Sequence, residues 1–245
     1  SIFGDKIDFI YEKGKFAFFN GIINVIDESG KKIHTIYKNM GKEMVKAAYK
    51  IDDKARREAA LKWCKKSELY KTYATTLEHL KKMQSHYLSE YDSDEDTIPC
   101  LNGLLNLKTF KLIPARPDIK NLKVVKVKYN PAAKCPRWEK FIEEITSKDG
   151  EPRPELANYL HKISGYILIK DTSEKCIFFF YGATGDNGKT TYTAIISYIL
   201  GAFSQRINSS SLMKKYNANE MRNDLAKLIG ARLVVGSEIS KGQTF

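Results

Sequence analysis

One stretch, Cys176 to Leu200, restricts what this chain can fold into more than any other. It opens with Cys176, Ile177, Phe178, Phe179, Phe180 and Tyr181, an unbroken apolar run of the kind found in a strand covered on both faces of a parallel sheet. A loop of Gly182, Ala183, Thr184, Gly185, Asp186, Asn187 and Gly188 follows, then Lys189 and Thr190. Thr191 to Leu200 reads as a helix stopped by Gly201. Strand, glycine-rich loop, Gly-Lys-Thr and helix, in this order, are the parts of a P-loop.

Each residue type there has a physical task. Glycines let backbone N–H groups turn inward around phosphate oxygens, and the helix adds the positive end of its dipole. Gly182 to Thr191 are expected to line ATP, with the Lys189 ammonium against its β and γ phosphates and the Thr190 hydroxyl on Mg2+. The spacing departs from the usual one. Five residues separate Gly182 from Gly188, where four are standard, and Ala183 occupies the standard first position. The loop is therefore expected to be reshaped, around Gly185.

An acidic partner is expected downstream. Leu233 to Val235 predict a short buried strand, with Glu238 at its C-terminal end, the edge where ligands gather in parallel sheets. Glu238 is placed to polarise the attacking water and to hold Mg2+ through water. Ser237 stands where many NTPases carry an Asp.

Residues 1–150 predict a separate α+β domain, ahead of an α/β P-loop core in 151–245 that is incomplete in this chain. The boundary is expected in Lys148–Pro154, where Asp149-Gly150 and two prolines interrupt the pattern. Residues 15–26 read as a hairpin turning at Asn20-Gly21, with a second turn at Ser29-Gly30. Residues 41–90 read as two or three helices with breaks near Asp52-Asp53 and Ser67. Val45, Ala48 and Tyr49 are expected on one face, and Ala60, Leu61 and Cys64 on another. Residues 92–96 form an acidic linker, and 97–114 a second hairpin turning at Lys108-Thr109. Lys123–Tyr129 alternates as a strand. Pro136–Ile145 and Pro154 to about Ile169 predict amphipathic helices, the second with Leu156, Tyr159, Leu160 and Ile163 on one side.

The formal charge of +12 suits a polyanion, with nucleic acid the commonest. The excess reads as spread along the chain. Arg56-Arg57, Lys65-Lys66 and Lys81-Lys82 can meet phosphates or simply form solvated helix faces. Tyr70, Tyr73 and Tyr87 can stack on bases or pack a core. Cys64, Cys100, Cys135 and Cys176 have neither zinc spacing nor a disulfide framework, which fits a reducing compartment. No apolar run approaches membrane-spanning length.

The P-loop segment Tyr181–Thr191, followed by Gly230 to Glu238, resembles superfamily 3 helicases. With Asn102–Thr109 and Tyr129–Pro136, continuing to Trp138 and Phe141, it resembles more closely the primase–helicases of large DNA viruses, phages and plasmids, the poxvirus type. The likeness is specific over residues 97–245 and only general over 1–96. It implies an AAA+-like ATPase that assembles as a hexameric ring on single-stranded or forked DNA, alongside other replication proteins. The setting implied is intracellular, in a bacterial cytoplasm or at a viral replication site, with no membrane partner. Lys189, Thr190 and Glu238 carry over by position. The family's polar Asn, neighbour-reaching arginine and DNA hairpin are expected beyond Phe245, and a priming centre before Ser1. The piece alone is accordingly expected to hydrolyse ATP weakly or not at all.

Two other readings stand beside this one. The first is a P-loop enzyme of another class, such as a small-molecule kinase, although Ser209–Asn219 does not resemble a substrate lid. The second makes residues 1–150 a collar that binds DNA or organises a ring without activity of its own.

Overall fold

The computed structural model describes residues 6–68, 70–182, 185–208 and 228–236. The chain forms two compact units. One comprises residues up to Tyr91 with Arg116–Leu122, and the other comprises Asp92–Ala115 and the chain from Lys123 onward.

In the first unit the sheet order is β3-β2-β1-β4. Strands β1 (Ile7–Ile10) and β2 (Lys15–Phe19) are antiparallel, from Ile7 opposite Phe18 to Ile10 opposite Lys15. β3 (Asn24–Ile26) continues the expected hairpin, and β4 (Ser85–His86) lies parallel to β1. The hairpin turn spans Asn20 to Ile23, because the Asn20 side-chain oxygen accepts from the N–H groups of Ile22 and Ile23, each at 2.9 Å. Alternation sends Ile7, Phe9, Phe16 and Phe18 to one face, where they pack with Ile33. Ile10 and Ala17 go to the other face, with Tyr91. Both faces are covered, so Asp8 is buried too. It keeps its charge company through the Asn24 amide, the Tyr91 hydroxyl and the Lys120 ammonium, each at 2.9 Å.

The helical layer starts earlier than expected. Helix α1 (Lys31–Tyr49) begins directly after Gly30, since the Asp27 carboxylate accepts from the Ile33 N–H at 3.0 Å and caps the first turn. The breaks fall where expected, giving α2 (Lys54–Ser67) and α3 (Tyr70–Met83). Asp53 caps α2 by accepting from the Arg56 N–H at 2.7 Å. Ala48 and Cys64 are buried as their spacing predicts. Tyr49 is not: one residue past Ala48, it has rotated about 100° off the buried face and is exposed.

In the second unit β5 (Thr97–Cys100), β6 (Gly103–Asn106) and β7 (Leu112–Ile113) form an antiparallel meander. The expected turn after Asn106 is present, its side-chain oxygen accepting from Lys108 and Thr109 N–H groups. A further turn at Leu101-Asn102 was not anticipated. Gly103 there has φ +146°, and a Cβ would sit 2.7 Å from the Ile113 carbonyl oxygen.

Lys123–Tyr129 is extended but is not a strand. Val125, Val127 and Tyr129 do turn inward onto the core. Their backbone bonds, however, are split between two neighbours: Val125 N–H to Pro99 O at 2.9 Å on one side, Lys126 N–H to Ile199 O at 2.9 Å on the other. Pro99 has no N–H to return, and the Leu101 N–H that does bond back, to the Val127 carbonyl at 3.0 Å, does not close a ladder.

Helices α4 (Pro136–Thr146) and α5 (Pro154–Leu168) each start at proline, as expected. Ile163 and Ile167 of α5 are buried, whereas Tyr159 faces out. Asp149 and Gly150, with φ of +54° and +84°, make a tight turn between these helices, which pack together within one unit. By packing alone, the chain passes from the first unit to the second after Tyr91, and Arg116–Leu122 returns to the first. Strands β8 (Ser204–Ile207) and β9 (Leu233–Gly236) pair in parallel, Ser204 opposite Leu233. The polar sequence of β8 hid it from pattern reading. β9 is half-covered rather than buried, Val234 being 40% exposed, since β8 is its one neighbour among the described residues.

The Cys176–Tyr181 run departs most from expectation. It is not a strand, and no backbone ladder is formed along it among the described residues. Phe178 and Phe180 pack onto the core, while Ile177, Phe179 and Tyr181 are exposed. The chain is thus a mixed α/β protein of small sheets and helices. Among the described residues no helix is long and apolar enough to cross a membrane.

Candidate functional site

The glycine-rich loop is held through the helix that follows it, α6 (Lys189–Leu200). Tyr192, one turn in, is buried, and its hydroxyl lies 2.7 Å from Ser164 Oγ and donates to the Leu160 carbonyl at 3.0 Å. Its ring stacks on Trp138 of α4 with centroids 5.7 Å apart and meets Phe180 edge-on at 5.4 Å. Three elements thereby fix the first turn of α6: α4, α5 and the extended segment entering the loop. Burial pushes the Tyr192 phenol above its ordinary range, with the Ser164 contact working the other way.

Gly188 sets the angle at which the loop enters the helix. Its φ is +75°, and a Cβ would overlap the Ile145 side chain of α4. Asp186 is also left-handed, at +56°. Gly185, where the reshaping was expected, has open space around it and no positive φ. Within the described part of the loop, the left-handed positions are Asp186 and Gly188.

The loop curls back on itself. The Lys189 ammonium donates to the Asn187 side-chain oxygen. A Cβ on Gly182 would overlap the Asn187 amide and lie 3.1 Å from Lys189 Nζ. The two ends of the loop are therefore together, with the cation over the first glycine. The first turn of α6 has no side-chain cap, so its amides are open to an anion. Thr190 and Thr191 are exposed at a shallow cleft shared with Ala194, Ile195 and Tyr198. The Thr193 hydroxyl is spent on helix carbonyls, those of Lys189 and Thr190 at 3.1 Å. An ammonium, uncapped helix amides and an exposed threonine hydroxyl form a donor set that fits a polyphosphate carrying Mg2+.

The structure thus brings together Gly182, Asn187 and Lys189, with Gly188 at the helix entrance, and leaves Gly185, Asp186, Thr190 and Thr191 exposed. Ala183, Thr184, Ser237, Glu238 and Ser209–Asn219 lie outside the described residues, as does the Tyr70 side chain. Tyr73 is half-buried and packs edge-on against Tyr37 at 4.8 Å. Among the described residues no group of His, Cys, Asp and Glu is arranged to hold a metal.

Sequence reasoning passed over two residues that hold this region, Tyr192 and Arg232. The Arg232 guanidinium donates to the carbonyls of Thr97, at 2.9 Å, and Leu168, and lies 5.1 Å from the Phe203 ring centroid. It fixes the start of β9, and burial lowers its pKa. The available signal was a lone Arg between Ala231 and Leu233, in an otherwise apolar stretch.

Residues 1–147 match the family described as D5 N terminal like, the domain that precedes the helicase in primase–helicase proteins. The match includes residues 1–96, where the resemblance read from the sequence was only general. No curated protein matches the chain.

Proposed function

Since this chain belongs to the D5 N terminal like family, whose domain is associated with primase–helicase proteins in DNA replication, we propose that it is part of an ATP-dependent DNA helicase of superfamily 3. The Lys189 ammonium, held over Gly182 at the uncapped start of α6, is the observation that carries this reading.

In the proposed mechanism Lys189 and the α6 amides neutralise the β and γ phosphate oxygens as charge develops on them. Thr190 would hold Mg2+ through its hydroxyl, and the ion would supply further positive charge to the phosphates. Glu238 orients the attacking water. Tyr192 and Gly188 keep the first turn of α6 rigid while this happens. By the resemblance, the working form is a hexameric AAA+-like ring on single-stranded or forked DNA.

Steady-state ATP hydrolysis by the assembled helicase that contains this chain, with and without single-stranded or forked DNA, tests the reading. It predicts DNA-stimulated hydrolysis that falls by about 10²–10³-fold in Lys189→Ala, the usual effect of removing one preorganised charge donor, and falls likewise in Glu238→Gln. Hydrolysis unaffected by either change, or phosphoryl transfer to a metabolite, would contradict it.

A further inference from the structure

The net charge is not spread evenly once the helices are placed. Residues 31–83, the three-helix segment of the first unit, hold fifteen Lys and Arg against six Asp and Glu, so they account for nine of the twelve net positive charges. Helix α2 is the extreme case, with six cations and one carboxylate, Glu58. Its inner side is fixed by Cys64 and Ser67, the Ser67 carbonyl accepting from the Tyr37 hydroxyl at 2.6 Å. Arg57 is consumed structurally, donating to the Ile51 carbonyl at 3.0 Å.

The outer side is different. Arg56, Lys62, Lys65 and Lys66 are exposed, and none has an ion-pair partner among the described residues. Among them stands Trp63, 60% exposed. At helical spacing Ala59 lies four residues before it, and Lys66 three after, on the same face. Alanine is too short to cover the indole, and the lysine three residues on brings a cation to the same face of the helix. An indole is the costliest side chain to leave in water, and it sits on the most basic helix of the chain.

We propose that the outer face of α2 binds single-stranded DNA, with Trp63 as a base-stacking platform and Arg56, Lys62 and Lys66 neutralising the flanking phosphates. Charge complementarity selects a polyanion, and the indole selects one with unpaired bases, because a duplex offers phosphates but no free base face. The choice of DNA rests on the helicase reading above.

The test is anisotropy of a labelled oligothymidylate of about 20 nucleotides on the full chain, at several salt concentrations. Trp63→Ala should weaken binding by about tenfold or more, Trp63→Phe should retain most of it, and duplex binding should be unchanged in both. Replacing Arg56, Lys62 and Lys66 together by Ala should reduce the log–log salt slope by about 2. Lys189→Ala should leave oligonucleotide binding intact, so loss of ATP hydrolysis and loss of this surface are read separately. Unaltered binding in Trp63→Ala, equal losses in the Ala and Phe variants, an unchanged salt slope, or tighter binding of oligouridylate or polyglutamate than of oligothymidylate would overturn the proposal.

Discussion

Two apolar stretches of this chain are held in opposite ways. In the first unit Ile7–Ile10 and Lys15–Phe19 pair residue by residue, and helices and Tyr91 cover both faces. The Cys176–Tyr181 run is as apolar, yet it has no ladder among the described residues, and only Phe178 and Phe180 reach the core. What holds the second region is a set of single side chains: Tyr192 under the loop helix, Arg232 at the start of β9, and the missing Cβ of Gly188. Backbone ladders distribute load over many bonds, whereas anchors concentrate it, so point changes should affect the two regions differently.

The largest effect is expected where the ladder-held unit has its own concentrated load. Asp8→Ala leaves the Lys120 ammonium, the Tyr91 hydroxyl and the Asn24 amide without their shared acceptor. Urea unfolding should show a loss of about 3–5 kcal/mol. A loss below about 1 kcal/mol would mean that the ladder alone carries this unit. Next, Arg232→Met removes the donors to Thr97 and Leu168 while keeping the stem's packing. About 3 kcal/mol should be lost, with hydrogen exchange accelerating in β9 and leaving β1 and β2 unchanged. A smaller effect is expected from Gly188→Ala, about 1–2 kcal/mol from the left-handed backbone alone, plus displacement of Ile145. Gly185→Ala should stay within about 0.5 kcal/mol. Equal effects at the two glycines would remove the argument that Gly188 sets the loop angle.

The smallest effect is a pH dependence. Burial, and for Tyr91 also the Asp8 charge, raises both the Tyr91 and Tyr192 phenols above the ordinary 10.0. The unfolded chain therefore loses these protons first. Their contribution to stability is complete below about pH 10 and declines as the pH rises beyond it. Tyr192→Phe should flatten that alkaline decline in thermal melts of the second unit. An unchanged decline would assign it to other groups.

These contrasts also explain what could be read in the sequence. Turn and cap chemistry is local, so Asn20, Asp53, Asn106, Pro136 and Pro154 marked their elements correctly. Helix breaks at Asp52-Asp53 and Ser67 were legible for the same reason. Partnership is not local. Nothing in Lys123–Tyr129 announces that Pro99 will be its neighbour, and nothing in Cys176–Tyr181 says whether a backbone will lie alongside to pair with it. Of the candidate site, the contents of the loop were legible, and Lys189 and Gly182 do meet. The residues that hold the loop, Tyr192 and Arg232, act through contacts with residues 28 and 135 positions away, which no periodicity encodes.

The most direct test of the central claim is a titration of the full chain with Mg·ATP, followed by the backbone amide resonances of Gly182 to Thr191. Large shifts at Gly182, Gly188, Lys189 and Thr190, absent in Lys189→Ala, are the predicted result. Amides in this segment that stay in place while others in the chain respond, or the same shifts in the Lys189→Ala variant, would contradict the assignment of this loop as the phosphate site.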